Sequence, residues 1–260
     1  MVRRAIAALL FFVGWASSAW AIEPIPVVAV IDSGVAATPE LKPLLIGEVD
    51  VASPIARQAY HPRYDHGTMV ATILAHATGG SVRILSFRID DPAGCPAQSV
   101  PPCQPSGAPI ARAIRMATEA GVNAINLSLS LKDDVSIASA VRDATSRGIR
   151  VVMAAGNQGL DHPANLRMAI AGYPHAVLVG ALDVDGQAWS GSNAPGDHSA
   201  GRYNYVWQRG VAVPSRTVDG TSVYVTGTSF AAPIETARLI RREPRAVLAR
   251  AGASPAQTLR

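Results

Sequence analysis

Apolar and polar positions alternate along the chain in blocks that read as successive strand–helix–strand units. Val27 to Ile31 is a continuous apolar run rich in β-branched residues that stops at Asp32-Ser33-Gly34. That is the pattern of a strand buried on both faces and followed by a turn. Gly67 to Ala77 carries apolar residues at helical spacing, with Asp65 ahead of it as the expected N-cap. Val82 to Ile89 reads as a strand, Ile110 to Ala120 as a helix stopped by Gly121, and Val122 to Ser130 as the next strand. Val135 to Arg147 gives a helix closed by Gly148, followed by strands over Arg150 to Ala155 and Ala176 to Leu182. From Ser190 to Val225 the chain is rich in Gly, Ser and Asn and holds only short β-like pieces. Thr228 to Arg241 is a helix, and Pro244 to Ala251 a final one with Pro near its start. The alternation predicts an α/β fold, a three-layer, doubly wound, mostly parallel sheet with helices on both faces. Sites in such sheets form beyond the carboxyl ends of the strands, which is where Asp32 falls.

Four segments carry candidate chemistry. Asp32 ends the first strand, His66 stands in Asp65-His66-Gly67-Thr68, and Ser229 lies in Gly227-Thr228-Ser229-Phe230-Ala231-Ala232-Pro233. They supply a carboxylate, an imidazole and a hydroxyl. A hydroxyl attacks poorly at neutral pH until a base removes its proton, and that base needs a third group to hold its tautomer. Taken singly, each has a plainer reading. Asp-Ser-Gly after a strand is ordinary turn chemistry, and a lone His is usually a solvated or core residue. His61, His76, His162, His175 and His198 have no motif around them and keep that reading, while Asp65, beside His66, is read as a cap. The fourth segment, Val151 to Asn157, is a strand ending in Gly156-Asn157, whose plain reading is a turn.

In the order Asp, His, Ser, and in the residues flanking each, the chain resembles the subtilisin-like serine proteases from about Val27 to about Leu248. The resemblance implies a peptidase in which Asp32 orients His66, His66 deprotonates Ser229, and the Asn157 amide joins the Ser229 backbone N–H in an oxyanion hole. It also implies that an extended peptide pairs with Ser128-Leu129-Ser130 and with the region around Ser106-Gly107, with Ala154-Ala155-Gly156 along one pocket wall. Ser130 stands where the family commonly has Gly. Ile234-Glu235-Thr236-Ala237 replaces the usual His-Val-Ala-Gly and is expected to affect packing more than chemistry. The Gln158 to Gly172 loop lacks the expected Tyr-Pro-Ala signature, although Tyr173-Pro174 follows.

Composition adds a compartment and removes some partners. Arg3-Arg4, the apolar run Ala5 to Val13 and Ala19-Trp20-Ala21 read as a signal peptide over residues 1–21, which makes the expected product secreted or periplasmic. Residues 22–260 are then the peptidase domain, with no stable membrane span after cleavage. With Asp32 eleven residues past the cleavage point, no pro-domain is expected. Cleavage removes Arg3 and Arg4 and no acidic residue, so the net charge of +4 becomes +2. With no basic stripe interleaved with aromatics, nucleic acid is not an expected partner. The expected partner is a polypeptide substrate, and the expected state a monomer. Cys95 and Cys103, the only cysteines, flank a Pro-rich segment and are expected to form a local disulfide in an exported chain. No cofactor is required for the expected chemistry. Structural calcium is compatible with the family, but no metal site can be identified. At 48% hydrophobic and 16% charged residues, 260 residues suit one large core. The competing readings are a noncatalytic peptide-binding or self-processing module, an esterase on the same triad, and a metal-dependent hydrolase for which no ligand cluster is visible.

Overall fold

The computed structural model describes residues 24–97, 102–104, 106–131, 133–199 and 201–242. The expected signal peptide and the helix expected over Pro244 to Ala251 lie outside the described residues.

Seven parallel strands form one sheet in the order β2-β3-β1-β4-β5-β6-β7. They are β1 (Val27–Asp32), β2 (Leu45–Asp50), β3 (Arg83–Arg88), β4 (Ala124–Leu127), β5 (Arg150–Ala154), β6 (Ala176–Leu182) and β7 (Asn204–Arg209). Helices α2 (Ala108–Glu119), α3 (Val135–Ser146) and the short α4 (Leu166–Ala171) cover one face. There Ile31, Phe87, Ile125 and Met153 pack against Ile114, Ile137 and Met168. Helices α1 (His66–Thr78) and α5 (Thr228–Arg242) cover the other, where Val28, Val30 and Ile84 meet Leu74, Ala237 and Ile240. Coverage on both faces is why β1, β4, β5 and β6 read as apolar runs rather than as alternation.

Several boundaries move. The strand expected over Val122 to Ser130 stops at Leu127, because pairing with β5 ends at Leu127–Met153. Residues 128–131 run on past the sheet edge. β2 and α4 fall in stretches without a clear period. The Gly- and Ser-rich stretch holds the edge strand β7 and an antiparallel hairpin of β8 (Val213–Arg216) and β9 (Ser222–Val225). Asp65 occupies the N-cap position of α1 but does not cap it. Its Oδ1 instead accepts a 2.8 Å bond from the Val218 N–H in the hairpin turn, which pins that hairpin to the start of α1.

The irregular segment between β2 and α1, which delivers His66, is held by charge. Arg57 donates to both Asp50 carboxylate oxygens at 2.5 and 2.9 Å and to Asp90 Oδ2 at 2.9 Å. Arg88 reaches Asp90 Oδ1 at 2.7 Å and the His61 carbonyl at 3.2 Å. Burial alone would raise the Asp50 carboxyl. The hydrogen bonds and charge of Arg57, with the N–H groups of Ala52 and Ser53, hold it below the usual range. Because Asp90 is almost fully buried, losing one guanidinium leaves an under-compensated charge. Arg57→Ala is therefore expected to cost about 3 kcal/mol, read as a lower urea midpoint at unchanged slope.

Candidate active site

The carboxyl ends of β1, β4 and β5 bring the candidate residues to one edge of the sheet. Asp32 is the last residue of β1 and fully buried, and its Oδ1 accepts a 2.7 Å bond from the Ser33 N–H. His66 opens α1 with its side chain 14% exposed. Its Nδ1 lies 2.9 and 3.0 Å from the two Asp32 oxygens. A carboxylate only accepts, so Nδ1 carries the proton and Nε2 is left as the basic nitrogen. Burial alone would lower the imidazole pKa. The charge and hydrogen bond of Asp32 outweigh it, so the pKa stands above its ordinary value of 6.5. The approach of the two elements depends on Gly67. A Cβ there would lie 2.3 Å from the Gly34 carbonyl oxygen, so any side chain would push α1 off the Asp32 turn. The Gly67 N–H also donates to Ser33 Oγ at 3.0 Å.

Ser229 sits in the first turn of α5, 8% exposed, beside Phe230, whose ring centroid is 5.4 Å from that of His66. Pro233 lies four residues on. Having no N–H, it cannot satisfy the Ser229 carbonyl as an ordinary helical residue would. Ser128 does so instead, its hydroxyl donating at 2.7 Å. Ser128 Oγ accepts from Asn126 Nδ2 at 2.9 Å, and Asn126 Oδ1 accepts from Thr236 Oγ1 at 2.9 Å. Thr236, expected to affect packing more than chemistry, thus closes a polar chain that anchors the segment after β4 to the helix bearing Ser229. Its neighbour Glu235 does serve packing. It is fully buried, and Oε2 accepts from Gln208 at 2.7 Å and Arg238 at 2.6 Å.

Asn157 follows β5, with its orientation fixed from the other side. Its Oδ1 accepts from both the N–H and the hydroxyl of Thr228, each at 2.8 Å, while Thr228 Oγ1 accepts the Gly156 N–H at 3.1 Å. This turns Nδ2 toward Gly227. A Cβ on Gly227 would stand 3.1 Å from Asn157 Nδ2 and 3.3 Å from Ser229 Oγ, so a side chain there would crowd both. Thr228 has a role that the sequence signalled only by lying between Gly227 and Ser229.

His66, Asn157, Thr228 and Ser229 line one cavity of about 190 Å³. Ser128, Leu129, Ser130, Ala154 and Gly156 also line it, as do Ser106 and Gly107. Ala155, expected in the wall, is fully buried behind it; its N–H donates to Val179 and its carbonyl accepts from Ala164. Cys95 and Cys103 form a disulfide with Cα atoms 5.3 Å apart. The chain next to it supplies Pro102 and Gln104 to the cavity. Among the described residues, Gln104 Nε2 is the one buried side-chain nitrogen or oxygen without a hydrogen-bond partner. Of the other histidines, His76 pairs with Glu40 at 2.6 Å and His162 with Asp161 at 2.8 Å, both away from the cavity. Among the described residues, no group of three or more His, Cys, Asp or Glu side chains is gathered as a metal site.

Comparison with known proteins agrees with this layout. The family model described as the subtilase family matches residues 25–239. The chain belongs to the subtilase family. It is a serine-type endopeptidase of that family. It is 30% identical over 217 residues to subtilisin DY of Bacillus licheniformis, a match covering 79% of this chain and 72% of that one. It is 32% identical over 210 residues to subtilisin amylosacchariticus of Bacillus subtilis subsp. amylosacchariticus. There the match covers 79% of this chain but about half, 52%, of the relative's length. A cold adapted subtilisin-like serine proteinase of known crystal structure superposes with a TM-score of 0.65 at 20% identity. That superposition covers 90% of this chain and 79% of that one, a likeness of fold.

Proposed function

We propose that this subtilase hydrolyses peptide bonds in polypeptides through an Asp32-His66-Ser229 triad and an acyl-enzyme. The observation that carries the reading is that His66, Asn157 and Ser229 line one cavity. There the imidazole has its tautomer held by a buried carboxylate, and the Asn157 amide oxygen is taken up by Thr228, which leaves Nδ2 to donate. As the Ser229 Oγ–carbon bond forms, the Oγ proton passes to His66 Nε2 and the carbonyl oxygen takes the negative charge. The Asn157 Nδ2 and the Ser229 backbone N–H donate to that oxyanion. The position of Ser229 at the start of α5 adds the positive end of the helix dipole. Collapse breaks the carbon–nitrogen bond, and His66 returns the proton to the leaving amine. Water then repeats the sequence on the acyl-enzyme and releases the acid.

The substrate lies extended along Ser128-Leu129-Ser130 and across from Ser106-Gly107, with Ala154 and Gly156 beside the residue preceding the scissile bond. Arg3-Arg4, the following apolar run and Ala19-Trp20-Ala21 support export, with residues 22–260 acting as a monomeric domain in the periplasm or the medium. Among the described residues no helix is long and apolar enough to cross a membrane.

The direct test is a fluorophosphonate probe followed by peptide mapping. The expected result is one adduct, on Ser229, formed in step with loss of peptide hydrolysis. Hydrolysis that survives complete labelling, or an adduct at another residue, would overturn the reading.

A further inference from the structure

β4 and β5 are paired neighbours as far as Leu127 and Met153, and then they part. Of the departing segments, Ser128, Leu129 and Ser130 on one side and Ala154 and Gly156 on the other line the cavity. Parting leaves buried backbone groups without a ladder partner, and such groups need one. One side chain supplies three of them. Asn165 Nδ2 donates to the Leu129 carbonyl at 2.7 Å and to the Ala154 carbonyl at 2.8 Å. Its Oδ1 accepts the Leu131 N–H at 2.7 Å. Leu129, Ala154 and Leu131 are all buried, and Asn165 itself is 5% exposed.

Two features mark this as a demanding position. A short primary amide is the side chain that offers two donors and one acceptor in a plane, which is the set these three backbone groups require. Asn165 also has φ +62°, a left-handed conformation that Asn tolerates better than most non-glycine residues. It stands at the N-cap position of α4 without capping it, since its side chain is turned to the two strands instead. Ser130, between the two bonded residues, is left exposed on the cavity side.

We propose that Asn165 is a positioning residue that fixes the separation and register of the two walls between which the substrate peptide is held. Nothing in its own position touches the reacting atoms; it acts through Leu129, Leu131 and Ala154. This inference rests on the proposed peptidase function. Its failure is distinguishable from failure of that function, because the latter would appear in the wild type.

The test is Asn165→Gly, which keeps the left-handed backbone unstrained while removing the amide. Wall geometry should govern binding of extended peptides more than the reactivity of Ser229. The expected result is a rise in KM of roughly ten- to a hundred-fold on peptides spanning four or more residues before the scissile bond. Selectivity at the residue preceding that bond should broaden, while the rate of fluorophosphonate labelling of Ser229 stays within roughly two-fold. An unchanged KM and cleavage profile would overturn the inference, as would labelling and hydrolysis falling together. If the glycine variant does not fold, Asn165→Asp, which keeps the acceptor and turns both donor bonds repulsive, is read by the same split. A wild type that hydrolyses no peptide and takes no label would instead remove the proposed function itself.

Discussion

Ser229→Ala is expected to lower kcat by about 10⁶-fold, the order found when the nucleophile of subtilisin is removed, with a residual rate above water of about 10³. The residue would come from the Asn157 amide and substrate binding, both of which the substitution leaves in place. Ser229 is anchored by its carbonyl, which accepts from Ser128, and not through its hydroxyl. Loss of Oγ should therefore leave the fold and its melting temperature nearly unchanged, so inactivity cannot be put down to unfolding. Peptide binding should persist. The measurement is single-turnover hydrolysis alongside thermal unfolding, and a folded alanine variant retaining a tenth of wild-type turnover would sink the triad mechanism.

Asp32→Asn is expected to lower kcat by about 10⁴-fold, as replacement of the orienting aspartate does in other serine proteases, and also to move the pH profile. The sign follows from the causes acting on His66. Burial lowers its pKa, and the Asp32 carboxylate more than reverses this. His66 must be neutral to accept the Ser229 proton, so wild-type activity should rise through a midpoint above 6.5. Without the carboxylate, burial acts unopposed and the midpoint should fall below 6.5, while the wrong tautomer suppresses the rate at every pH. Stability runs the other way. A folded pKa above the unfolded value gives a contribution that is fully present below about pH 6.5 and lost as pH rises through the folded value. The enzyme thus gains activity over the same pH range in which this ion pair ceases to stabilise it. A profile for the asparagine variant with an unshifted acid limb would show that Asp32 does not set the base.

How much of this was legible in the sequence differs from element to element. β1, β3, β5 and β6 were readable because each is buried on both faces, so each is a short apolar run bounded by turn residues. β7 and the β8–β9 hairpin were less so. Residues 204–209 and 222–225 are only part-buried and mix Tyr, Trp and Gln with Ser, so no period stands out. Asp65 shows the limit of local rules. A good N-cap residue stood in the cap position, but a backbone N–H 153 residues away offered its carboxylate a better-placed donor.

The sequence by itself marked the candidate catalytic residues. A buried strand ending in Asp, a His before Gly67 at the start of a helix, and a Ser four residues before Pro233 each carry a local backbone requirement that only particular residues meet. That is why the motifs are legible without the fold. Only the tertiary structure decided what surrounds them. Thr228 orients Asn157, the chain Thr236–Asn126–Ser128 takes the carbonyl that Pro233 leaves open, and Asn165 ties two parting strands. Each of these is a single polar side chain serving backbone groups distant in sequence. Such pairings leave no periodicity and no motif, because what selects the residue is a set of donors and acceptors assembled only when the chain is folded.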